Sequence, residues 1–118
     1  MTAIKQVILH AETTYVGPFW EDGFCNIGEY NELWIDGVKY DIDFPGFKEW
    51  FFQVDKFDPY SDEEEEFNVE DFDNWVNQGY QYAIMLRKLL SKDIKVYYAF
   101  WKDFGDKNWR YCKAYISL

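Results

Sequence analysis

Histidine is nearly missing from this chain: its 118 residues hold one, His10, inside the apolar run "KQVILHA". A lone imidazole on such a run is more often a hydrogen-bonded structural group than a general base, and it leaves a zinc site without ligands. Cysteine is as scarce. Cys25 and Cys112 are far apart with no CxxC spacing, which favours two buried thiols serving as small hydrophobes over a disulfide. No glycine-rich phosphate loop and no Ser or Cys nucleophile motif is present, so the expectation is a protein without catalytic residues, cofactor or metal.

Long apolar runs are missing too. No stretch approaches the length of a membrane span, and the opening "MTAIKQVILHAETTY" is broken by Lys5, Gln6 and His10 with no small-residue cleavage site, which predicts no signal peptide and a cytoplasmic protein. Basic residues are few: 12 Lys and Arg face 22 Asp and Glu, for a net charge of −10. Direct binding to nucleic acid or to anionic lipid needs a basic patch, and none is visible.

Aromatic residues are what the chain has in excess. Six Trp, ten Tyr and eleven Phe make up 23% of it. At 118 residues a single domain, 1–118, is expected, and one core of that size cannot absorb so many rings. Some should face a partner, since Tyr and Trp are enriched at the centres of protein interfaces. The charge is unevenly placed: residues 1–86 carry four basic and nineteen acidic side chains, whereas residues 87–118 carry eight basic and three acidic. An acidic face on a less acidic scaffold would steer a basic protein inward.

Residues 4–11 are rich in β-branched side chains and predict a first strand. The segment 13–31, punctuated by Gly17, Pro18, Gly23 and Gly28, permits only short pairings. Asp36-Gly37, between alternating flanks, predicts a hairpin of strands 32–35 and 38–42 about a type I′ turn. Phe47, Trp50, Phe51, Val54 and Phe57 recur at helical spacing and predict one short helix. Asn68 is placed to cap a long helix whose apolar stripe runs through Val69, Phe72, Val76, Gly79/Tyr80, Ala83, Leu86 and Leu90. Acids in its first turns and Arg87, Lys88 and Lys92 in its last suit the helix dipole. "DIKVYYAFW" and "NWRYCKAYISL" predict a terminal hairpin. The order specifies an α+β fold, an antiparallel or mixed sheet with two helices packed on one face.

Between the helices lies "YSDEEEEFNVEDFDNW", residues 60–75, without a Lys or Arg. A run of like charge is often simply a solvated loop. An EF-hand is a poorer fit, because counting from Asp58 or Asp62 finds no glycine at the sixth place. Aromatics interleaved with the acids favour a partner surface. Asp62, Glu63, Glu64, Glu65 and Glu66 would steer, Glu70, Asp71 and Asp73 would form close charge pairs, and Tyr60, Phe67 and Trp75 would pack. Trp20, Glu21 and Asp22 in "GPFWEDGF" form a secondary candidate, set against a tight turn with Trp20 folded back onto the core. A carbohydrate-binding or carbohydrate-processing domain using acids and tryptophans is the alternative, and a nucleic-acid mimic that binds host DNA- or RNA-binding proteins is another.

The run "LWIDGVKYDI", a first helix, the acidic stretch, "GYQYAIMLRKLL" and "IKVYYAF" together resemble the small immunity proteins encoded beside toxins of bacterial contact-dependent inhibition and related polymorphic toxin systems. The likeness spans residues 32–100 and lies in the order of elements, the acidity and the aromatic richness. It implies a non-enzymatic, cytoplasmic inhibitor, a monomer by preference. Its partner would be a basic toxin, a nuclease with an RNase favoured, whose active site it occludes.

Overall fold

The computed structural model describes residues 4–12, 16–22, 25–57, 69–105 and 108–117. Seven strands form one mixed sheet, and two helices pack against it. The elements run β1 (Gln6–Leu9), β2 (Phe19–Trp20), β3 (Asn26–Glu29), β4 (Glu32–Ile35), β5 (Val38–Asp41), α1 (Phe47–Phe52) with a 3-10 turn at Gln53–Phe57, α2 (Val69–Leu89), β6 (Lys95–Asp103) and β7 (Trp109–Ile116). Across the sheet the order is β5-β4-β3-β2-β1-β6-β7. The first five strands form an antiparallel meander. The helices then carry the chain back to β6, which joins β1 in parallel before turning into the long antiparallel hairpin with β7.

Local chemistry accounts for the connections. At the β4–β5 turn both Asp36 (φ 51°) and Gly37 (φ 82°) are left-handed, as a type I′ turn requires. The Asp36 carboxylate also accepts the Ile4 N–H at 2.9 Å and ties this turn to the start of β1. The difficult segment 13–31 contributes β2 and β3, two and four residues long. Register shifts between Phe19 and Trp20, which pair with Gly28 and Asn26 and leave Ile27 between them. A bulge of this kind bends the strand, and Ile27 packs against the core. The expected single helix over 47–57 is an α-helix that tightens into a 3-10 turn, a common way for a short helix to end. Asn68, expected as a cap, lies outside the described residues.

The end of α2 rests on one buried cation. Arg87 is 4% exposed, and its guanidinium donates to the carbonyls of Ile94, Leu90 and Ser91. Those acceptors include orphan carbonyls beyond the last helical turn, which need donors when they are buried.

The core is aromatic where the helices meet the sheet. Trp50 of α1 and Trp75 of α2 stack with centroids 4.9 Å apart and planes 14° apart. Each indole N–H donates to the other residue's carbonyl oxygen at 2.8 Å. The Tyr98 hydroxyl donates to the Val76 carbonyl at 2.8 Å, and burial pushes its phenol well above the usual tyrosine range. Trp50 and Tyr98 both reach the α2 backbone at Gly79. A Cβ there would stand 2.2 Å from the Tyr98 oxygen and 2.4 Å from a Trp50 ring carbon. The helix needs glycine at this point because two large rings occupy the space of a side chain.

The buried stripe of α2 therefore runs Phe72, Trp75, Gly79, Tyr82, Ala83, Leu86 and Leu90. It departs from the expected stripe at Val76, which is half-buried, and at Tyr80, which is exposed. The cysteines also differ from expectation: Cys25 is exposed just before β3, and Cys112 is half-buried on the edge strand β7, both as free thiols.

Gly79→Ala tests the three-element contact. At an exposed helical site alanine would stabilise by about 1 kcal/mol, whereas overpacking here is expected to give a net loss of roughly 2 kcal/mol. The urea midpoint should fall, and an unchanged or raised midpoint would refute the packing described.

Candidate functional site

The first half of α2 presents the most distinctive surface among the described residues. Glu70, Asp71, Asp73, Asn74, Asn77, Gln78 and Tyr80 are all exposed along it, while the buried stripe holds the helix against the sheet. Three carboxylates in the opening turns offset the positive end of the helix dipole and give this end a negative field.

A depression flanks the helix on either side. On the β6 side a cleft of about 270 Å³ is lined by Asp73, Asn77, Tyr80, Phe100, Trp101 and Lys102, with Val76 and Tyr98 completing it. Asp73 and Asn77 stand one turn apart, as do Val76 and Tyr80, so the helix supplies one polar and one mixed row. Across from them, Tyr98 lies against both Tyr80 (centroids 6.3 Å) and Phe100 (5.2 Å). On the other side a polar hollow of about 300 Å³ is lined by Gln53, Lys56, Asp71, Asn74, Trp75 and Gln78.

Of the residues expected to bind a partner, Tyr60, Asp62, Glu63, Glu64, Glu65, Glu66 and Phe67 lie outside the described residues. Glu70, Asp71 and Asp73 share the exposed start of α2. Trp75 requires a correction: it is 7% exposed and stacked on Trp50 in the core, so its indole serves the fold, although the residue also lines the polar hollow. Its place was readable from spacing, three residues after Phe72 and four before Gly79. The cleft residues Asn77, Tyr80, Phe100, Trp101 and Lys102 were not singled out, because they come from two elements far apart in sequence.

At the secondary candidate, hydrogen bonds tie Glu21 and Asp22 to Cys25 and Gln6. The Asp22 carboxylate accepts the Cys25 N–H at 2.8 Å, the Glu21 N–H donates to the Cys25 carbonyl at 2.8 Å, and Gln6 Nε2 donates to the Glu21 carbonyl at 2.9 Å. Trp20 is half-buried, its indole N–H bonded to the His10 carbonyl at 3.0 Å. The negative charge of Asp22 is the main reason the Cys25 thiol is held above its ordinary value, with desolvation and Glu21 adding to it.

Aromatics also gather on the sheet about β1, β6 and β7, where Ile8 and Ala99 lie buried outside the main core. His10 Nδ1 meets the Ala99 carbonyl at 3.0 Å, and its ring stands edge-on to Tyr111 at 84°. Trp101 meets Tyr111 at 73° and Tyr97 meets Tyr115 at 62°, while the Lys113 ammonium sits 4.7 Å over the Tyr97 ring. Rings set on edge to one another do not form the flat stacking platform that a sugar-binding face would need. No group of three or more His, Cys, Asp or Glu side chains able to hold a metal occurs among the described residues, and no helix among them is long and apolar enough to cross a membrane.

Two measurements follow. Trp75→Phe keeps a ring in the stack but leaves the buried Trp50 carbonyl without its indole donor, so it is expected to lower the stability of the free protein by about 1–3 kcal/mol. A loss of partner binding with unchanged stability would restore Trp75 as an interface residue. Burial lowers the pKa of His10 below its ordinary 6.5, against smaller opposing effects of the Ala99 carbonyl and Glu12. The unfolded chain then binds the extra proton, so this contribution to stability is present above pH 6.5 and is lost as pH falls below it. Denaturation midpoints of the wild type should drop more steeply from pH 7 to about 5.5 than those of His10→Gln; parallel curves would contradict the assignment. Compared with known proteins, the chain matches no family model, no curated protein and no solved structure.

Proposed function

We propose that this protein is a non-enzymatic inhibitor that binds a basic protein through the acidic start of α2, as an immunity protein neutralises its cognate toxin. The observation that carries this reading is the exposed row of Glu70, Asp71 and Asp73 beside a cleft that is part aromatic and part polar. Charge of that sign attracts and orients a basic groove, and aromatic surface nearby supplies contact area once water is expelled. The acidic tract 62–66 immediately precedes this face in sequence and adds to the same field. A nuclease, whose substrate groove is basic, is the partner class that fits best, with an RNase favoured. Glutamates in that groove would take the place of phosphate.

Sugar binding has less support, since the sheet aromatics stand edge-on. A mimic of DNA that binds several host proteins shares the acidic surface and differs in predicting many partners.

The test is capture from the source lysate at low and at moderate salt. One stoichiometric basic partner that survives moderate salt supports the reading, and a salt-labile mixture of partners, or none, would end it. With the partner in hand, replacing Glu63–Glu66 by Gln is expected to slow association and flatten its salt dependence while leaving thermal stability nearly unchanged. Unchanged association kinetics would remove the tract from the mechanism.

A further inference from the structure

The geometry points to the cleft between α2 and β6 as a guanidinium pocket, one that takes a single arginine side chain of the basic partner. This inference rests on the reading above for the source of the arginine, whereas the pocket can be tested without any partner.

Size sets the first limit. At about 270 Å³ the cleft falls just below the usual range for small-molecule sites and suits one long side chain. Its walls set the second. Tyr80, 40% exposed, comes from the helix and Phe100 from β6, while Trp101, whose ring meets Tyr111, only borders the cleft. Flat π faces attract a delocalised, weakly hydrated cation and stack on its plane. Its floor is rigid. Tyr98 touches both Tyr80 and Phe100 and is itself held by its bond to the Val76 carbonyl at the Gly79 notch.

Polar groups set the third limit. Asp73 lines the cleft and makes no ion pair among the described residues, even though Lys102 lines the same space. The Lys102 ammonium instead lies 5.7 Å from the Phe104 ring centroid, outside salt-bridge range of the carboxylate. Asn77, one turn on, offers a second acceptor. A carboxylate and an amide oxygen a helical turn apart can receive several of the five N–H donors of a guanidinium; a lysine ammonium would leave the planar walls less well used. The overall charge of −10 and the acids at 70 and 71 favour a cation here over a neutral ring.

The experiment titrates the ¹⁵N-labelled protein with N-acetyl-L-arginine amide, N-acetyl-L-lysine amide and methyl glucoside, following the Phe100, Asn77 and Tyr80 amides. Saturable shifts at these three positions are expected with the arginine probe, at about millimolar affinity, and weaker ones with lysine. Asp73→Asn should weaken arginine binding roughly tenfold, as the loss of a charge-assisted hydrogen bond would. Tyr80→Ala should weaken it about threefold. Both positions are exposed, so the variants are expected to keep the wild-type spectrum elsewhere. Glucoside shifts equal to those of arginine, non-saturating shifts, or an Asp73→Asn titration identical to wild type would each overturn the pocket. Failure of the probe while a basic partner is still captured removes the pocket alone. Saturable arginine binding with no basic partner supports the pocket and removes only the larger reading.

Discussion

The reciprocal pair of indoles is the contact on which the rest of the structure depends. Trp50 and Trp75 stack face to face, and each hands its N–H to the other's main-chain carbonyl. A buried indole is costly unless its N–H is satisfied, and here two such costs cancel within one pair. The bonds end on backbone, so they set the position of helix against helix. α1 is only six residues long and could not hold its place by propensity, since isolated helices of that length are unstable in water. Aromatic packing from Phe44, Phe47 and Tyr82, with the Tyr82 hydroxyl bonded to the Pro45 carbonyl, completes its attachment.

The position of the candidate site follows from that contact. Gly79 lets Trp50 and Tyr98 lie directly on α2, which draws β6 close beneath the helix. One row of the helix turns into the core, and the neighbouring row of Asp73, Val76, Asn77 and Tyr80 is left at the mouth of a cleft whose far wall is β6. The cleft is thus a by-product of tight packing one row away, which makes its floor rigid. Rigid aromatic walls lose little entropy when they receive a ligand.

The two hydrophobic periods of the sequence led to different degrees of success. The hairpin at Asp36-Gly37, the first strand, the terminal hairpin and the long helix were legible because turn chemistry and periodicity act locally. The α+β architecture followed from their order. The short strands β2 and β3 were not placed, because a two-residue strand with a bulge has too little pattern to show. The stripe of the long helix was legible at Phe72, Gly79, Ala83, Leu86 and Leu90, and differs only where Trp75 and Tyr82 are buried while Val76 is half-buried and Tyr80 exposed. Val76 and Tyr80 fit the 3.6-residue period nearly as well as Trp75 and Tyr82, and a large aromatic ring among acids resembles an interface anchor until its partner ring is known. The cysteines differ from expectation for a related reason: thiols are usually buried, but Cys25 is exposed just before β3 and Cys112 lies on an edge strand.

By itself the sequence determined the acidic balance, the element types and the location of the three carboxylates that open α2, all properties of neighbouring residues. Tertiary structure alone decided that Trp75 pairs with Trp50, and that Asp73 and Tyr80 share a cleft with Phe100 and Trp101. Those outcomes depend on contacts between residues twenty or more positions apart. Such contacts are fixed by the shapes of packed rings and by a missing Cβ at Gly79, and no local pattern encodes them.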